Sequence, residues 1–253
     1  MNALTFMPLA GMPMVRSGDD LPALILAALT AQNLRLEPGD ILVVAQKIVS
    51  KSEGRQLPLA TITPSSEAIE LAKQTEKDPR LVELILREST TVLRKKPGVL
   101  IVRHRLGLVG AQAGIDQSNI EHDDDEHALL LPVDPDASAR RIRDTLAART
   151  GVRPGVIVSD SMNRPWRLGT IGGAIGSAGV AVLDDRRGGH DIYGRELKVT
   201  MINRADSIAT AATLVMGETT EKTPVALVRG FPQEDSTQTA RDIIRPLEED
   251  MFR

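Results

Sequence analysis

Short apolar runs typical of buried strands alternate irregularly with capped helices along this chain, and this order most constrains its fold. The runs ILVV (41–44) and VIVS (156–159) are continuous and β-branched, as in strands covered on both faces. Asp19 or Asp20 caps a predicted helix with Pro22 in its first turn. Because strands and helices mix without a regular βαβ rhythm, we predict an α+β fold rather than a doubly wound sheet.

Turn and cap residues place the remaining elements. Cap-and-proline pairs predict helices near 64–75 and 79–88, and Asp136 or Ser138 is expected to cap a helix that ends near Arg149. A tight link predicts a hairpin between 98–104 and 106–111. Other predicted elements are strands near 180–183, 197–203 and 225–228 and helices near 205–216 and 236–250.

The composition indicates an aliphatic core and excludes several functions. Aromatic residues make up 2% of the 253 residues, so Leu, Ile, Val, Met and Ala must form the core, and stacking platforms for single-stranded nucleic acid are scarce. The 31 basic and 34 acidic residues give a net charge of −3, without the basic excess of a nucleic-acid-binding protein. We therefore expect no nucleic-acid partner.

The absence of cysteine excludes disulfides, thiolate zinc sites, iron–sulfur clusters and a cysteine nucleophile. The longest uncharged run, 168–183, has 16 residues and five glycines, too few residues and too much glycine for a membrane span. The N-terminus lacks the basic and continuous apolar regions of a secretory signal. We expect a cytoplasmic protein with no membrane partner.

The glycine-rich stretch GTIGGAIGSAG (169–179) fits neither G-x-G-x-x-G nor the P-loop pattern. Its small residues suit close backbone packing between elements, which we favour, and they also suit direct ligand contact. Both interpretations stay open from the residues alone.

Acidic and hydroxyl side chains follow two apolar segments. Asp160 and Ser161 come directly after the run 156–159, and Asp116 lies in a turn-like context with Asn119 three residues on. Oxygen ligands of this kind suit Mg²⁺ or Mn²⁺, which usually bind through a few carboxylates together with substrate phosphates. Taken singly, each aspartate is more often a turn former or a helix cap.

Charged residues at two further places have competing interpretations. Lys47 and Lys51 lie four residues apart, so on a helix both ammonium groups share one face and can hold phosphate oxygens. The alternative is a solvated basic face. The acidic run HDDDEH (122–127) has the composition of a metal site, but we interpret it as a loop that faces water.

Five collinear blocks resemble the coenzyme F420 gamma-glutamyl ligase family, from about Met12 to Gly230. They are LEPGDILVVAQKIVSKSEGR (36–55), GLVGAQAGIDQSN (107–119), VIVSDSMNRPWRLGTIGGAIGSAG (156–179), HDIYGRELKVT (190–200) and ADSIATAATLVMGETTEKTPVALVRG (205–230). The resemblance implies a mixed-sheet α+β fold and an intertwined homodimer. We expect residues 1–253 to form one ligase-like unit, or two interleaved subdomains, without the C-terminal nitroreductase-like domain of some relatives.

The resemblance also implies an activity. The family uses GTP and divalent metal to join L-glutamate to the deazaflavin precursor of coenzyme F420. The resemblance implies two metal ions, Mg²⁺ or Mn²⁺, and K⁺ as a further candidate cofactor. Phosphoryl transfer to a carboxylate gives an acyl phosphate that the glutamate amine attacks, releasing GDP and phosphate. Further gamma-glutamyl additions can follow.

The resemblance assigns the family's ligand-binding roles to the matching positions of this chain. The implied metal ligands are Asp116, Asp160, Ser161 and Glu218. The implied nucleotide contacts are Met12, Pro13, Met14, Val15, Gln46, Lys47, Lys51, Asn119, Met216, Gly217, Glu218, Thr219, Thr220, Glu221, Lys222 and Thr223. No catalytic base is identified.

The chain departs from the family pattern at several of these positions. Residues 219–222 stand where many relatives are richer in glycine and aspartate. Ser161 stands where Thr is common in the family, and Gln46 and Lys47 stand where some relatives have small hydroxyl residues. Two alternatives therefore remain: a metal-dependent phosphohydrolase or ligase acting on another carboxylate, and a non-catalytic nucleotide-binding protein.

Overall fold

The computed structural model describes residues 3–122, 125–163 and 166–251. Within them the chain divides into two compact units whose segments interleave in sequence. Unit 1 comprises the chain up to Pro13, Asp20–Ala45 and Asp134–Ile243, and unit 2 comprises Met14–Asp19, Gln46–Val133 and the chain from Ile244 onward.

The strands and helices are numbered in chain order. The strands are β1 (Thr5–Pro8), β2 (Ile41–Ala45), β3 (Gln56–Pro58), β4 (Ser89–Lys96), β5 (Val99–His104), β6 (Val109–Ala111), β7 (His127–Leu129), β8 (Gly155–Asn163), β9 (Thr170–Ala178), β10 (Leu183–Asp185), β11 (Met201–Asn203) and β12 (Val225–Arg229). The helices are α1 (Leu21–Ala31), α2 (Gln46–Ser52), α3 (Ser66–Thr75), α4 (Pro79–Arg87), α5 (Pro135–Thr150) and α6 (Arg204–Met216). Among the described residues, every helix falls short of the length and apolar character needed to cross a membrane.

Unit 1 is built on a mixed sheet with strand order β1-β12-β2-β8-β9. β2 and β8 are parallel, and the other neighbouring pairs are antiparallel. The apolar runs of β2, β8 and β12 are buried on both faces, which is why they lack alternating polar residues. The predicted α+β class is confirmed, and the sheet is mixed.

The glycine-rich stretch forms strand β9, and its glycines allow helices to approach closely. A Cβ added at Gly172 would overlap Ala209 and Thr213 of α6, and one added at Gly176 would overlap Pro135 of α5. A register shift in the β8–β9 pair between these two positions reverses the alternation of side chains, so the glycines meet different helices. The packing interpretation of this stretch is confirmed. The strand itself was not predicted, because glycine is depleted in strands.

The N-terminus of α5 differs from the prediction. Asp134 is the N-cap, and its side chain accepts a hydrogen bond from the backbone N–H of Ala137, so Asp136 and Ser138 lie inside the helix. The carboxylate of Asp136 is buried and accepts from the N–H groups of Ser177 and Ala240 instead. Asp136 therefore ties α5 to β9 and to the segment that follows the sheet.

The predicted helix at 236–250 is wrong. This segment contains only two 3-10 turns, Ala240–Ile243 and Leu247–Glu249. Pro246 lies between the turns and cannot donate the hydrogen bond that a continuous helix needs. The strand predicted near 180–183 starts only at Leu183, as β10. The strand predicted near 197–203 is present but is limited to its last three residues, as β11, and it pairs with β10.

Unit 2 packs α3 and α4 against a sheet of order β4-β5-β6, with β3 and β7 forming a separate pair. Its core is aliphatic, as predicted, and includes Leu71, Val82, Ile85, Leu100 and Val102. The predicted hairpin is confirmed as β5 and β6, whereas β4, the outer partner of β5, was not predicted.

A buried charge cluster in unit 2 surrounds Glu88. Oε2 of this carboxylate lies 3.0 Å from Arg55, 3.0 Å from Arg105 and 3.4 Å from Nε2 of His104. Burial raises the pKa of Glu88, but the contact with His104 and the hydrogen bonds and charges of Arg55 and Arg105 outweigh it and lower the pKa to about 2. Glu88 is therefore ionised wherever the protein is folded near neutral pH.

Candidate functional site

Two clusters of polar side chains contain the implied metal ligands, one cluster in each unit. The first, which we call the β8 cluster, consists of Asp160 and Ser161 on β8 and Glu218 just beyond the end of α6. Ser161 Oγ donates a hydrogen bond to Glu218 Oε2 at 2.5 Å, and Asp160 Oδ1 accepts from the backbone N–H of Ser161 at 2.9 Å. The structure thus brings Ser161 and Glu218 into contact, and Asp160 precedes Ser161 in the strand. The metal-binding role that the resemblance implies for these residues stays a prediction.

The loop after α6 is held by its own side chains. Gly217 ends the helix at φ 75°, a left-handed conformation that favours glycine. Glu221 accepts from the backbone N–H of Thr219 at 2.8 Å, a bond that lowers the pKa of its carboxyl. Thr223 Oγ1 donates to the carbonyl of Met216 at 2.6 Å. The loop that contains Glu218 is therefore structured, although it lacks the glycines of many relatives.

The second cluster, which we call the α2 cluster, consists of Gln46, Lys47 and Lys51 on α2 together with Asp116, Ser118 and Asn119. The backbone of Asp116 pairs with Leu129 through two hydrogen bonds of 2.8 and 3.0 Å, which fix its position beside β7. Asp116 Oδ2 then accepts from Gln46 Nε2 at 3.1 Å and lies 3.4 Å from Lys47 Nζ. Asp116 thus contacts Gln46 and Lys47, two residues that the resemblance assigns to the nucleotide, and the ligand roles of all three stay predictions.

The two lysines of α2 lie on one helix face, as their spacing predicts, and contact neighbouring oxygens. Lys51 Nζ donates to the carbonyl of Asn119 at 2.7 Å, and Lys47 Nζ donates to the carbonyl of Ser118 at 3.2 Å. Burial lowers the pKa of Lys51, and the charge of Lys47 lowers it further. Asn119, whose carbonyl accepts this bond from Lys51, has a left-handed backbone conformation with φ 56°.

The loop 12–15 mixes buried and exposed apolar side chains. Met12 and Val15 are buried, whereas 65% of Met14 is exposed. The nucleotide contact assigned to this loop stays a prediction. Gln46 is 1% exposed, and its amide contacts Asp116, so its assigned nucleotide contact also stays a prediction.

The acidic run 122–127 is described only in part, because Asp123 and Asp124 lie outside the described residues. Asp125 accepts a hydrogen bond from the backbone N–H of Ala60 and lies 3.5 Å from Arg80. This carboxylate is thus paired with groups of unit 2.

The donor chemistry of both clusters fits a hard divalent cation. All the side-chain donors of the β8 cluster are oxygens, as Mg²⁺ and Mn²⁺ prefer. Among residues 3–122, 125–163 and 166–251, no group of three or more His, Cys, Asp or Glu is placed to hold a metal alone. Since Mg²⁺ usually binds through one or two carboxylates plus phosphates and water, this arrangement suits a metal that arrives with a phosphate-bearing ligand.

Two contributors to the α2 cluster were missed by sequence reasoning. Ser118 supplies both its carbonyl and its hydroxyl to Lys47, and Ser50 Oγ donates to Gln46 Oε1 at 2.9 Å. The position of Ser50 four residues after Gln46 on a helix was an available signal. The contact of Ser118 with Lys47 joins residues 71 positions apart, and the sequence contains no signal for it.

Carboxylate and hydroxyl oxygens, and lysine ammonium groups beside some of them, are the kinds of side chain that proteins use to hold divalent metal and phosphate. The family model described as F420-0:Gamma-glutamyl ligase matches residues 11–230. The chain therefore belongs to the F420-0:gamma-glutamyl ligase family.

Relatives from methanogens are similar over nearly their whole length. The chain is 46% identical over 243 residues to a protein of Methanopyrus kandleri, covering 94% of this chain and 93% of the relative. It is 45% identical over 245 residues to a protein of Methanothermobacter thermautotrophicus, covering 96% of each. A protein of Methanocaldococcus jannaschii is 43% identical over 242 residues, covering 96% of this chain and 94% of the relative. All three are named coenzyme F420:L-glutamate ligase.

Proposed function

We propose that this protein joins L-glutamate to the deazaflavin precursor of coenzyme F420, using GTP and a divalent metal. The observation that carries the proposal is the 46% identity, over 94% of the chain, to a relative named coenzyme F420:L-glutamate ligase. The β8 and α2 clusters support it, because they supply the oxygen ligands and ammonium groups that such a reaction needs.

The proposed reaction has two covalent steps. A carboxylate oxygen of the precursor attacks the γ-phosphorus of GTP, forming an acyl phosphate as GDP leaves. The amine of glutamate then attacks the acyl carbon, the C–O bond to phosphate breaks, and the amine proton passes to solvent or to an unidentified base. GTP is needed because a free carboxylate is a poor electrophile, whereas phosphate is a good leaving group. Repetition on the new glutamate would give gamma-glutamyl links.

The chain's own charged residues are assigned to the phosphates and the metal. Asp160, Ser161 and Glu218 would hold Mg²⁺ or Mn²⁺ in unit 1, and Asp116 would hold one in unit 2. When bound, such an ion neutralises phosphate charge and polarises the transferring group. Lys51, whose Nζ already contacts a carbonyl oxygen, would donate to phosphate oxygens.

We further propose that the protein is a homodimer. Several large apolar side chains of unit 1 are more than four-fifths exposed: Trp166, Leu168, Ile192, Tyr193, Val199 and Leu214. Trp166 with Leu168, and Ile192 with Tyr193, are close along the chain, and neighbouring exposed apolar side chains are typical of a surface that another protein covers. Sedimentation velocity is expected to give twice the 27.3 kDa chain mass, and a species of the single-chain mass at micromolar concentration contradicts the dimer.

The activity is tested by mixing the protein with GTP, Mn²⁺, L-glutamate and the deazaflavin precursor. Mass spectrometry is expected to show the precursor with one glutamate added and water lost, together with GDP and phosphate. Parallel reactions without GTP, or with metal removed by chelation, are expected to give no product.

The alternatives predict different results in the same reaction. GTP breakdown that proceeds without glutamate and precursor indicates a phosphohydrolase, and product formed only with another acid indicates a different ligase. Tight GTP binding without turnover indicates a non-catalytic nucleotide-binding protein.

A further inference from the structure

Three oxygen atoms surround the ammonium group of Lys47 in unit 2. Its Nζ lies 3.4 Å from Asp116 Oδ2, 3.2 Å from the carbonyl oxygen of Ser118 and 3.3 Å from Ser118 Oγ. A lysine ammonium has three donors and no acceptor, so three surrounding oxygens match its hydrogen-bonding capacity. This surrounding of carboxylate, carbonyl and hydroxyl oxygens is also the kind that a hard metal ion accepts.

The partners of Asp116 Oδ2 differ in mobility. Gln46, which donates to this oxygen at 3.1 Å, is 1% exposed, and its Oε1 accepts from the buried hydroxyl of Ser50. Gln46 is therefore held in place and fixes the carboxylate. Lys47 reaches the same oxygen from a side chain that is 28% exposed, on a flexible four-carbon stem. Lys47 is thus the partner of Asp116 that can leave without disturbing the core.

We propose that the Lys47 ammonium group neutralises the Asp116 carboxylate in the metal-free protein. It must move away from this carboxylate when a divalent ion binds there. This inference rests on the metal-binding role of Asp116 in the proposed function. Because two cations cannot share one carboxylate oxygen without strong repulsion, Lys47 competes with the metal. A metal ion alone therefore binds weakly at Asp116.

Phosphate changes this competition. A nucleotide phosphate offers Lys47 new anionic oxygens, so the lysine can leave Asp116 without losing its counter-charge. Metal and nucleotide then favour each other's binding, and Lys47 couples the two. A small hydroxyl residue at this position would remove this competing cation.

The inference is tested by titrating the full-length protein with Mn²⁺ alone in a calorimeter. Lys47→Gln is expected to tighten Mn²⁺ binding on the order of 10-fold relative to the wild type. Lys51→Gln is the matched control, because it removes the same charge from the same helix while Lys51 donates to Asn119 rather than to Asp116. It is expected to tighten binding much less. Lys47→Arg keeps the charge and is expected to remain close to the wild type.

A double-mutant cycle with Asp116→Asn shows whether the effect passes through this carboxylate. The tightening caused by Lys47→Gln is expected to vanish in the Asp116→Asn background. Equal tightening by Lys47→Gln and Lys51→Gln, no tightening by Lys47→Gln, or tightening that persists in the Asp116→Asn background each overturns the inference.

The cycle also separates this inference from the proposed function. If Asp116→Asn leaves Mn²⁺ binding unchanged in both the wild-type and the Lys47→Gln backgrounds, the metal role of Asp116 is itself wrong. If Asp116→Asn weakens binding while Lys47→Gln fails to strengthen it, only the role of Lys47 is overturned.

Discussion

Ser161 Oγ donates a 2.5 Å hydrogen bond to Oε2 of Glu218, a residue 57 positions further along the chain. This bond joins strand β8 to the loop that follows α6. It places a hydroxyl and a carboxylate side by side. The oxygen donors of the β8 cluster are therefore partly preorganised by the fold.

Replacing the hydroxyl at this position tests that preorganisation. Ser161→Ala removes a donor oxygen and the bond to Glu218, and it is expected to weaken Mn²⁺ binding on the order of 10-fold or more. Ser161→Thr retains the hydroxyl and is expected to bind Mn²⁺ as the wild type does. Calorimetry on both variants measures the difference, and equal affinities for the two would show that the hydroxyl is not a ligand.

Asp160→Asn removes charge from the β8 cluster while keeping nearly the same volume. Its amide oxygen can still accept from the Ser161 N–H, so the fold is expected to persist, but ligation is expected to fall by at least about 100-fold. Product formation and thermal unfolding are measured together. Asp144→Asn, which removes an exposed carboxylate of α5, is the control and is expected to retain activity. Full activity of Asp160→Asn would contradict its assignment as a metal ligand.

The charge cluster around Glu88 predicts a loss of stability in acid. The folded-state pKa of Glu88 is about 2, below the ordinary value of 4.5. The stabilising contribution of its ionisation is therefore complete above about pH 4.5 and is lost as the pH falls towards 2. Denaturant unfolding is expected to show that the free energy of unfolding of the wild type declines from pH 4.5 towards pH 2. The decline is expected to be smaller for Glu88→Gln.

At neutral pH, Glu88→Gln leaves Arg55 and Arg105 without their buried counter-charge. The free energy of unfolding is expected to fall by about 3 kcal/mol. Glu70→Gln, which breaks an exposed ion pair with Lys73, is expected to have a much smaller effect. Similar losses for the two variants would contradict the account of the cluster.

Because α5 packs closely against β9, we expect a single methyl group added between them to lower the free energy of unfolding. Gly176→Ala forces the new Cβ against the backbone of Pro135, and we expect a loss of roughly 1–3 kcal/mol in the free energy of unfolding. Gly110→Ala is the control, because a Cβ at Gly110 meets no atom within 4 Å. Chemical denaturation compares the two, and an unchanged midpoint for Gly176→Ala would contradict the packing interpretation.

Local signals predicted those parts of the fold that depend on neighbouring residues. The helix α1 begins where Asp20 and Pro22 place it, with the Asp20 side chain accepting from the N–H of Ala23. The α2 lysines share a helix face because their spacing of four requires it. Asp160 and Ser161 were singled out by their place after an apolar strand, whereas Glu218 was added only by the family resemblance.

Features that depend on distant contacts could not be predicted from the sequence. Strand β9 is stabilised by two helices that need its glycines, a benefit that outweighs the poor strand propensity of glycine. The segment 236–250 has a helical composition, but its Ala240 N–H donates to the buried carboxylate of Asp136, 104 positions away. The Glu88 cluster likewise joins residues that no motif connects.

The fate of ¹⁸O placed at both oxygens of the precursor's carboxylate tests the central claim most directly. If the carboxylate is activated as an acyl phosphate, one labelled oxygen passes into inorganic phosphate for each amide bond formed with glutamate, and GDP is released with it. Mass spectrometry of the phosphate and of the glutamylated product measures both quantities in one reaction. We expect one ¹⁸O in each phosphate, and glutamylated product accompanied by unlabelled phosphate would contradict the account.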